Sequence, residues 1–277
     1  MRILSFDTTN NCVSIALLES GKVVCERLFV ATGSERQESV TLLLPAVDEM
    51  LSERCWKKTD LDLLVVGVGP GSFTGIRIGV VTARTLAQAL NLPLTGVSLL
   101  DCYAAKVAEK AGELSEFAIV LSGGRGHFYF AAYKKNVDGG RETHGVAPTE
   151  TVPPQHGTVV ELKAVLSSTQ TWAVEPSLVE ALSVECADRS LIELPKLENI
   201  AAFQGILGWR RVSLSKLPSA IFLASSGVSE ENGRDVEVKR WRQSLLIDYP
   251  YRIVEPLYLR GASVTLKGSD GKATATT

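Results

Sequence analysis

The chain of 277 residues has three histidines and five cysteines, and neither set is arranged to hold a metal. His127, His144 and His156 fall outside metal-ligand spacing and are expected to be structural or surface residues. Cys12, Cys25, Cys55, Cys102 and Cys186 are scattered, odd in number and without a C-x-x-C pair, which argues against a disulfide framework and a zinc site and fits a reducing compartment. An excess of charge of either sign is also lacking: 29 Lys and Arg stand against 31 Asp and Glu, for a formal net charge of −2. With a pI near 6.0 there is no electrostatic footprint for gripping RNA, so any nucleic-acid role is expected to be indirect. No apolar run reaches the roughly 18 residues needed to span a bilayer. The sequence opens at Met1-Arg2 straight into an apolar strand, without the basic and apolar regions of a secretion signal, so a cytoplasmic protein with no membrane association is expected. No Ser/His/Asp or Cys/His constellation can be assembled, and nothing here reads as a self-sufficient catalyst.

What the chain has is apolar content, 45%, enough for one large or two medium globular domains. Its organising stretch is Val65 to Gly79, V-V-G-V-G-P-G-S-F-T-G-I-R-I-G. Gly69-Pro70-Gly71-Ser72 fits a type II turn, with Pro70 setting φ near −65° and Gly71 accepting positive φ. An amphipathic helix follows from about Thr74, with Ile76, Val80, Ala83, Ala87 and Leu90 at spacings of four and three and Ser72 or Thr74 as its cap. A glycine turn feeding a helix N-terminus offers backbone N–H groups to an anion, phosphate above all. The run lacks the Lys-Ser/Thr ending of a P-loop and the G-x-G-x-x-G spacing of a dinucleotide fold. Gly69, Gly71, Ser72, Thr74 and Gly75 therefore serve equally as an anion cradle or as a tight strand-to-helix turn with close backbone packing. Arg77, a cation in the first helical turn, is expected to answer a carboxylate or a ligand, or to form a surface ion pair.

In chain order, Ile3–Phe6, Val13–Leu18 and Val23–Phe29 form a three-stranded meander. Asp7 and Thr8, directly after the first strand, could hold a hydrated metal ion or face a phosphate, or simply make the turn. Glu35–Met50 reads as a helix with Val40, Leu43, Leu44, Val47 and Leu51 on one stripe, and Pro45 bends it or marks its start. The breadth of that stripe suits a core or a dimer face. Leu94–Ser98 is another strand, ending a β-β-β-α-β-α-β pattern. A second unit opens with a helix over Asp101–Lys110 and strands at Phe117–Leu121 and His127–Tyr133. After the Pro- and Thr-rich stretch Pro148–Pro154 come helices near Val160–Leu166 and Leu178–Ser183, a strand at Thr171–Val174, and a helix from about Leu197 to Trp209 weakened by Gly205 and Gly208. Lys239-Arg240-Trp241-Arg242 could grip RNA or lie on a solvated helix face. Residues 261–277 read as a disordered tail.

Ile3-Leu4-Ser5-Phe6-Asp7-Thr8-Thr9, Leu42-Leu43-Leu44-Pro45 and Gly69-Pro70-Gly71-Ser72-Phe73-Thr74-Gly75-Ile76-Arg77-Ile78-Gly79 resemble the TsaB (YeaZ) family of bacterial tRNA-modification subunits. Glu255-Pro256-Leu257-Tyr258-Leu259-Arg260 agrees, and the likeness is specific over about residues 1–103. The resemblance implies an α/β fold of two actin-like ATPase lobes, 1–103 and 104–260. It implies work in placing threonylcarbamoyl on the adenosine beside the anticodon. It further implies a non-catalytic subunit that pairs with a TsaD-type catalytic paralogue, or with a second copy of itself, and works with a TsaE-type ATPase. On that reading the chain has no cofactor of its own, and ATP is used by the complex. The pairing helices would be those carrying Val40, Leu43 and Val47, and Ile76, Val80, Ala83 and Ala87, so that a charge at Leu43 or Ala83 should break pairing without unfolding. Leu99 and Tyr103 stand where the catalytic paralogue has its metal-binding histidines, and neither replaces an imidazole. Glu38-Ser39 replaces the family's His-Ser, and Ser122-Gly123-Gly124 replaces an acidic head to the Arg125 strand, which argues against nucleotide binding by this chain alone. The rival reading is a small-substrate kinase or ATPase of the same fold, with Asp7 placing a metal and the glycine turn holding phosphate.

Overall fold

Alternation along β1 (Arg2–Asp7) sends Leu4 and Phe6 to one side of a sheet and Ile3 and Ser5 to the other, and both sides are buried. The structure, a computed structural model, describes residues 1–10, 12–30, 41–110, 114–138, 141–142, 148–216, 249, 254–257, 266–267 and 273–274. The expected meander is present: β2 (Cys12–Glu19) and β3 (Lys22–Val30) pair antiparallel beyond β1. β4 (Leu63–Gly67) and β5 (Leu94–Val97) add in parallel, giving the order β3-β2-β1-β4-β5. α1 (Leu43–Glu53) and α2 (Phe73–Leu90) cover one face, packing Leu43, Val47, Met50, Ile76, Val80 and Ala83 on Leu4, Phe6, Ile15, Leu64 and Val66. Pro45 lies in the first turn of α1, where its missing N–H has no intrahelical partner to lose, so it marks a start. The part of that helix expected over residues 35–40, Val40 included, lies outside the described residues.

α3 (Leu99–Lys110) leads into a second sheet: β6 (Glu116–Gly124), β7 (His127–Lys134), a small ladder of β8 (Val137–Asp138) with β9 (Arg141–Glu142), then β10 (Thr149–Thr158). α4 (Val159–Val165), β11 (Thr171–Val174), α5 (Val179–Glu185) and β12 (Ser190–Glu193) follow. The order is β10-β7-β6-β11-β12, the pattern of the first sheet repeated: third, second, first, fourth, fifth. β6 and β7 turn on Arg125-Gly126, both at positive φ (52° and 76°), the geometry of a tight two-residue hairpin. The chain is thus an α/β protein of two actin-like lobes.

Three features go beyond or depart from the sequence reading. The Pro-rich stretch belongs to β10, an edge strand, and Pro153 and Pro154 sit at its register shift between Val152 and Gln155, where a missing N–H is tolerated. β12 was not anticipated: its Leu191 and Ile192 are half-buried and flanked by exposed residues, so little periodicity marks it. The last helix, α6 (Ile200–Lys216), outruns its expected end and continues unbroken through both glycines. A Cβ on Gly208 would lie 2.7 Å from Val65, and one on Gly205 would collide with Leu18, so these positions let the helix backbone settle onto the first sheet.

That docking also moves the expected boundary. α6 follows the second lobe in sequence but covers the second face of the first sheet, with Ala201, Leu207 and Val212 against Ile3, Leu18, Val65 and Val97. Tyr249 accepts from the Leu94 amide at 3.1 Å and the Leu257 amide donates to the Val68 carbonyl at 2.8 Å, so later residues return to the first lobe as well. Within 261–277, expected to be disordered, β13 (Leu266–Lys267) pairs with β14 (Ala273–Thr274). Residues 227–248, Lys239–Arg242 among them, lie outside the described residues.

Candidate functional site

The glycine turn lies against the loop that follows β1. Ser72 caps α2 as expected, its hydroxyl accepting from the Gly75 amide at 3.3 Å, while its own amide donates to the Thr9 carbonyl at 2.6 Å. The Thr8 hydroxyl donates to the Gly75 carbonyl at 2.7 Å, and a Cβ on Gly71 or Gly75 would collide with the Thr9 or Thr8 carbonyl. The turn is not type II: the Gly69–Pro70 peptide is cis and the positive φ, 106°, belongs to Gly69 rather than Gly71. The Gly69 carbonyl accepts from the Leu99 amide at 2.7 Å, which fixes the start of α3 beside it. Of the two readings of these glycines, close packing of turn on loop accounts for the contacts observed.

Asp7 is 2% exposed, on the α6 side of the sheet. Its Oδ1 accepts from the amide and the hydroxyl of Thr9, each at 2.8 Å, and its Oδ2 accepts from Nε2 of Gln204 at 2.7 Å. Burial raises its pKa above the ordinary carboxylate value, and the hydrogen bonds from Gln204 and Thr9 offset part of that rise. Thr8 is buried and committed to Gly75; Thr74 and Arg77 are exposed, and the Arg77 guanidinium lies 4.6 Å over the Phe73 ring. The structure thus brings Asp7, Thr8, Gly71, Ser72 and Gly75 together at the end of the first sheet. Gln204, the partner that sequence reasoning missed, arrives on α6, and the small residues Ala201, Gly205 and Gly208 around it were the available signal of a helix laid close on a sheet.

Leu43, Val47, Ile76, Val80, Ala83 and Ala87, expected at a dimer face, are buried in the chain's own core. The amphipathic stripe is real, but it meets this chain's first sheet. The outward apolar residues of the same two helices are Leu42 and Leu44 at the head of α1 and Val81 on α2, 45%, 47% and 57% exposed. At the lobe junction Tyr133 donates to Asp101 at 3.0 Å, and Arg211 reaches the other Asp101 oxygen at 2.7 Å and the Gly96 carbonyl at 3.0 Å. Leu99 and Tyr103 begin α3; Leu99 is buried, and burial, with Glu175 nearby, pushes the Tyr103 phenol up. His127 and His156 stack with centroids 5.0 Å apart, whereas His144 lies outside the described residues. Among the described residues no three His, Cys, Asp or Glu side chains gather as a metal site, and no helix is long and apolar enough to cross a membrane.

Two lobes of one sheet order, with a glycine turn closed on the loop after the first strand, define a protein of the actin-like α/β class. Among solved structures, the chain is similar to an uncharacterised Pseudomonas aeruginosa protein described as similar to peptidase YeaZ. The TM-score is 0.57 at 21% identity, covering 94% of this chain and 99% of that one. It is also similar to YeaZ from Pseudomonas aeruginosa, with a TM-score of 0.53 at 21% identity, covering 77% and 92%. The family model for TsaD, tRNA N6-adenosine threonylcarbamoyltransferase, matches residues 34–156. The tRNA threonylcarbamoyladenosine biosynthesis protein TsaB of Escherichia coli (strain K12) is 32% identical over 209 residues, 72% of this chain and 84% of the relative. TsaB of Bacillus subtilis (strain 168) is 37% identical over 134 residues, 48% of this chain and 56% of the relative. The chain belongs to the TsaB family.

Proposed function

We propose that the chain works in tRNA threonylcarbamoyladenosine biosynthesis as a non-catalytic scaffold subunit, docking on a TsaD-type catalytic partner and acting with a TsaE-type ATPase. It has no cofactor of its own, ATP is used by the complex, and tRNA is met through the partner. The observation that carries this reading is its similarity to TsaB of Escherichia coli over 84% of that protein. The exposed apolar side chains of Leu42 and Leu44 at the head of α1 and of Val81 on α2 are open to the partner or to a second copy. A stable interface there would bury on the order of 1,200–2,000 Å² in total.

The test is threonylcarbamoyl transfer to tRNA by purified TsaD and TsaE, with the threonylcarbamoyl adenylate supplied, in the presence and absence of this chain. The expected result is transfer that requires the chain. Transfer that proceeds equally without it overturns the scaffold reading, and ATP turnover by the isolated chain then tests the kinase or ATPase alternative.

A further inference from the structure

A cation or phosphate at the end of β1 would have to be met by Asp7, and each oxygen of that carboxyl already has a protein partner. Oδ1 takes two hydrogen bonds from Thr9 and Oδ2 takes one from Gln204. The second donor of the Gln204 amide points to the Val97 carbonyl at 3.4 Å. Packing seals the pair: a Cβ on Gly67 would collide with Asp7 Oδ2 and lie 2.8 Å from Gln204 Nε2, so the β4 backbone rests directly against this hydrogen bond. Magnesium binds at about 2.0–2.1 Å and keeps several waters. The space beside Asp7 holds backbone and amide where that hydration shell would be, so the residues present do not fit a hydrated metal-nucleotide.

The amide itself points the same way. Gln204 is fully buried, and its carbonyl oxygen Oε1 has no hydrogen-bond partner among the described residues, while its N–H groups face Asp7 and Val97. Only the donor half of this side chain is used, and what it serves is the carboxyl. We propose that Gln204 is an internal ligand of Asp7, its side-chain amide standing where a cation would stand, so that the junction between α6 and the end of β1 is closed without metal or nucleotide. Because the loop holding Asp7 also carries the Thr8 and Thr9 bonds to Gly75 and Ser72, Gln204 is a positioning residue for the first turn of α2.

Substitution at Gln204 separates this role from plain packing through its pH profile. Among the described residues, the titratable groups facing Asp7 are the thiols of Cys12 on β2 and Cys102 on α3, both pushed above their ordinary value by burial and therefore uncharged between pH 5 and 8. Gln204→Glu sets a second carboxyl against Asp7. Its thermal midpoint is expected to fall by several degrees at pH 8 and to recover most of that loss at pH 5, where the pair shares a proton. Gln204→Leu, which keeps bulk and removes both donors, lets the Asp7 pKa rise further, so its midpoint is expected to fall more at pH 8 than at pH 5, with a smaller loss at pH 8 than Gln204→Glu. The unaltered chain should show no midpoint shift with Mg-ATP. Equal losses at both pH values for Gln204→Glu overturn the proposal, as does a saturable Mg-ATP shift of the unaltered chain that Asp7→Asn abolishes; the latter holds even if the Gln204 variants fail to fold.

Discussion

The Thr8 hydroxyl donates to the Gly75 carbonyl at 2.7 Å, so the loop after the first strand and the first turn of α2 form one hydrogen-bonded unit. A side chain at Gly75 would meet the Thr8 carbonyl, a backbone atom that cannot swing aside. Gly75→Ala is expected to lose roughly 1–3 kcal/mol, the usual cost of overpacking. Ser72→Ala, which removes the cap, should lose about 1 kcal/mol. Denaturant titration measures both, and an unchanged midpoint for Gly75→Ala would mean that loop and helix part freely.

Charge on α1 and α2 should act in opposite ways on their two sides. Leu43→Asp and Ala83→Asp place an unpaired carboxylate in the core and are expected to unfold the chain. Leu44→Asp and Val81→Asp fall on the exposed side, should keep the circular dichroism spectrum and melting midpoint, and should weaken co-elution with a TsaD-type partner. Unchanged co-elution of the latter pair would move the docking surface elsewhere.

Burial gives Asp7 a pH signature. Its pKa in the folded chain lies above the ordinary 3.8, so the folded state holds the proton more firmly than the unfolded state. The contribution of Asp7 is therefore most favourable below about pH 4 and declines as pH rises from there through the folded value, then levels. Asp7→Asn stays neutral and can donate to the unpartnered Gln204 Oε1 after an amide flip. Urea midpoints across pH 4–8 should decline less in Asp7→Asn than in the unaltered chain; parallel curves would refute the assignment.

At the lobe junction, Tyr133→Phe removes the donor to Asp101 and leaves Arg211 in place. The expected loss is roughly 1.5–3 kcal/mol, the range for a hydrogen bond to a charged group. Burial, and then the Asp101 carboxylate, push the Tyr133 phenol far up, so it stays protonated and the loss should be constant from pH 6 to 9. A loss that vanishes at pH 9 would contradict this.

Local chemistry made much of the first lobe legible. Ser20-Gly21 turns β2 into β3, Ser72 caps α2, and the stripe from Ile76 to Ala87 is the buried face of a helix, all signals carried within a few residues. The partner of that face was misread because periodicity reports that a stripe is buried, not what buries it. The turn type was misread because the positive φ falls on Gly69 rather than Gly71, and either glycine accepts it, so the local sequence does not say which one takes it. Gln204 was invisible for a different reason: it meets Asp7 across 197 positions, and glutamine on a helix is ordinary. Gly205 and Gly208 held the missing information, but a glycine inside a helix signals weakness in a peptide and close approach in a packed protein.

The order in which the layers occur along the chain matters while the protein is being made. Ile3, Leu18, Val65 and Val97 exist as an apolar sheet face well before α6, residues 200–216, can cover them. At about 5–20 residues per second, a ribosome takes on the order of five to twenty seconds to synthesise the intervening second lobe. During that interval the nascent chain carries a half-clad sheet outside the exit tunnel, a surface suited to a holding chaperone and open to aggregation. A chain released before residue 200 would keep that surface permanently, so premature termination in the second lobe should yield insoluble first lobe rather than a free-standing domain.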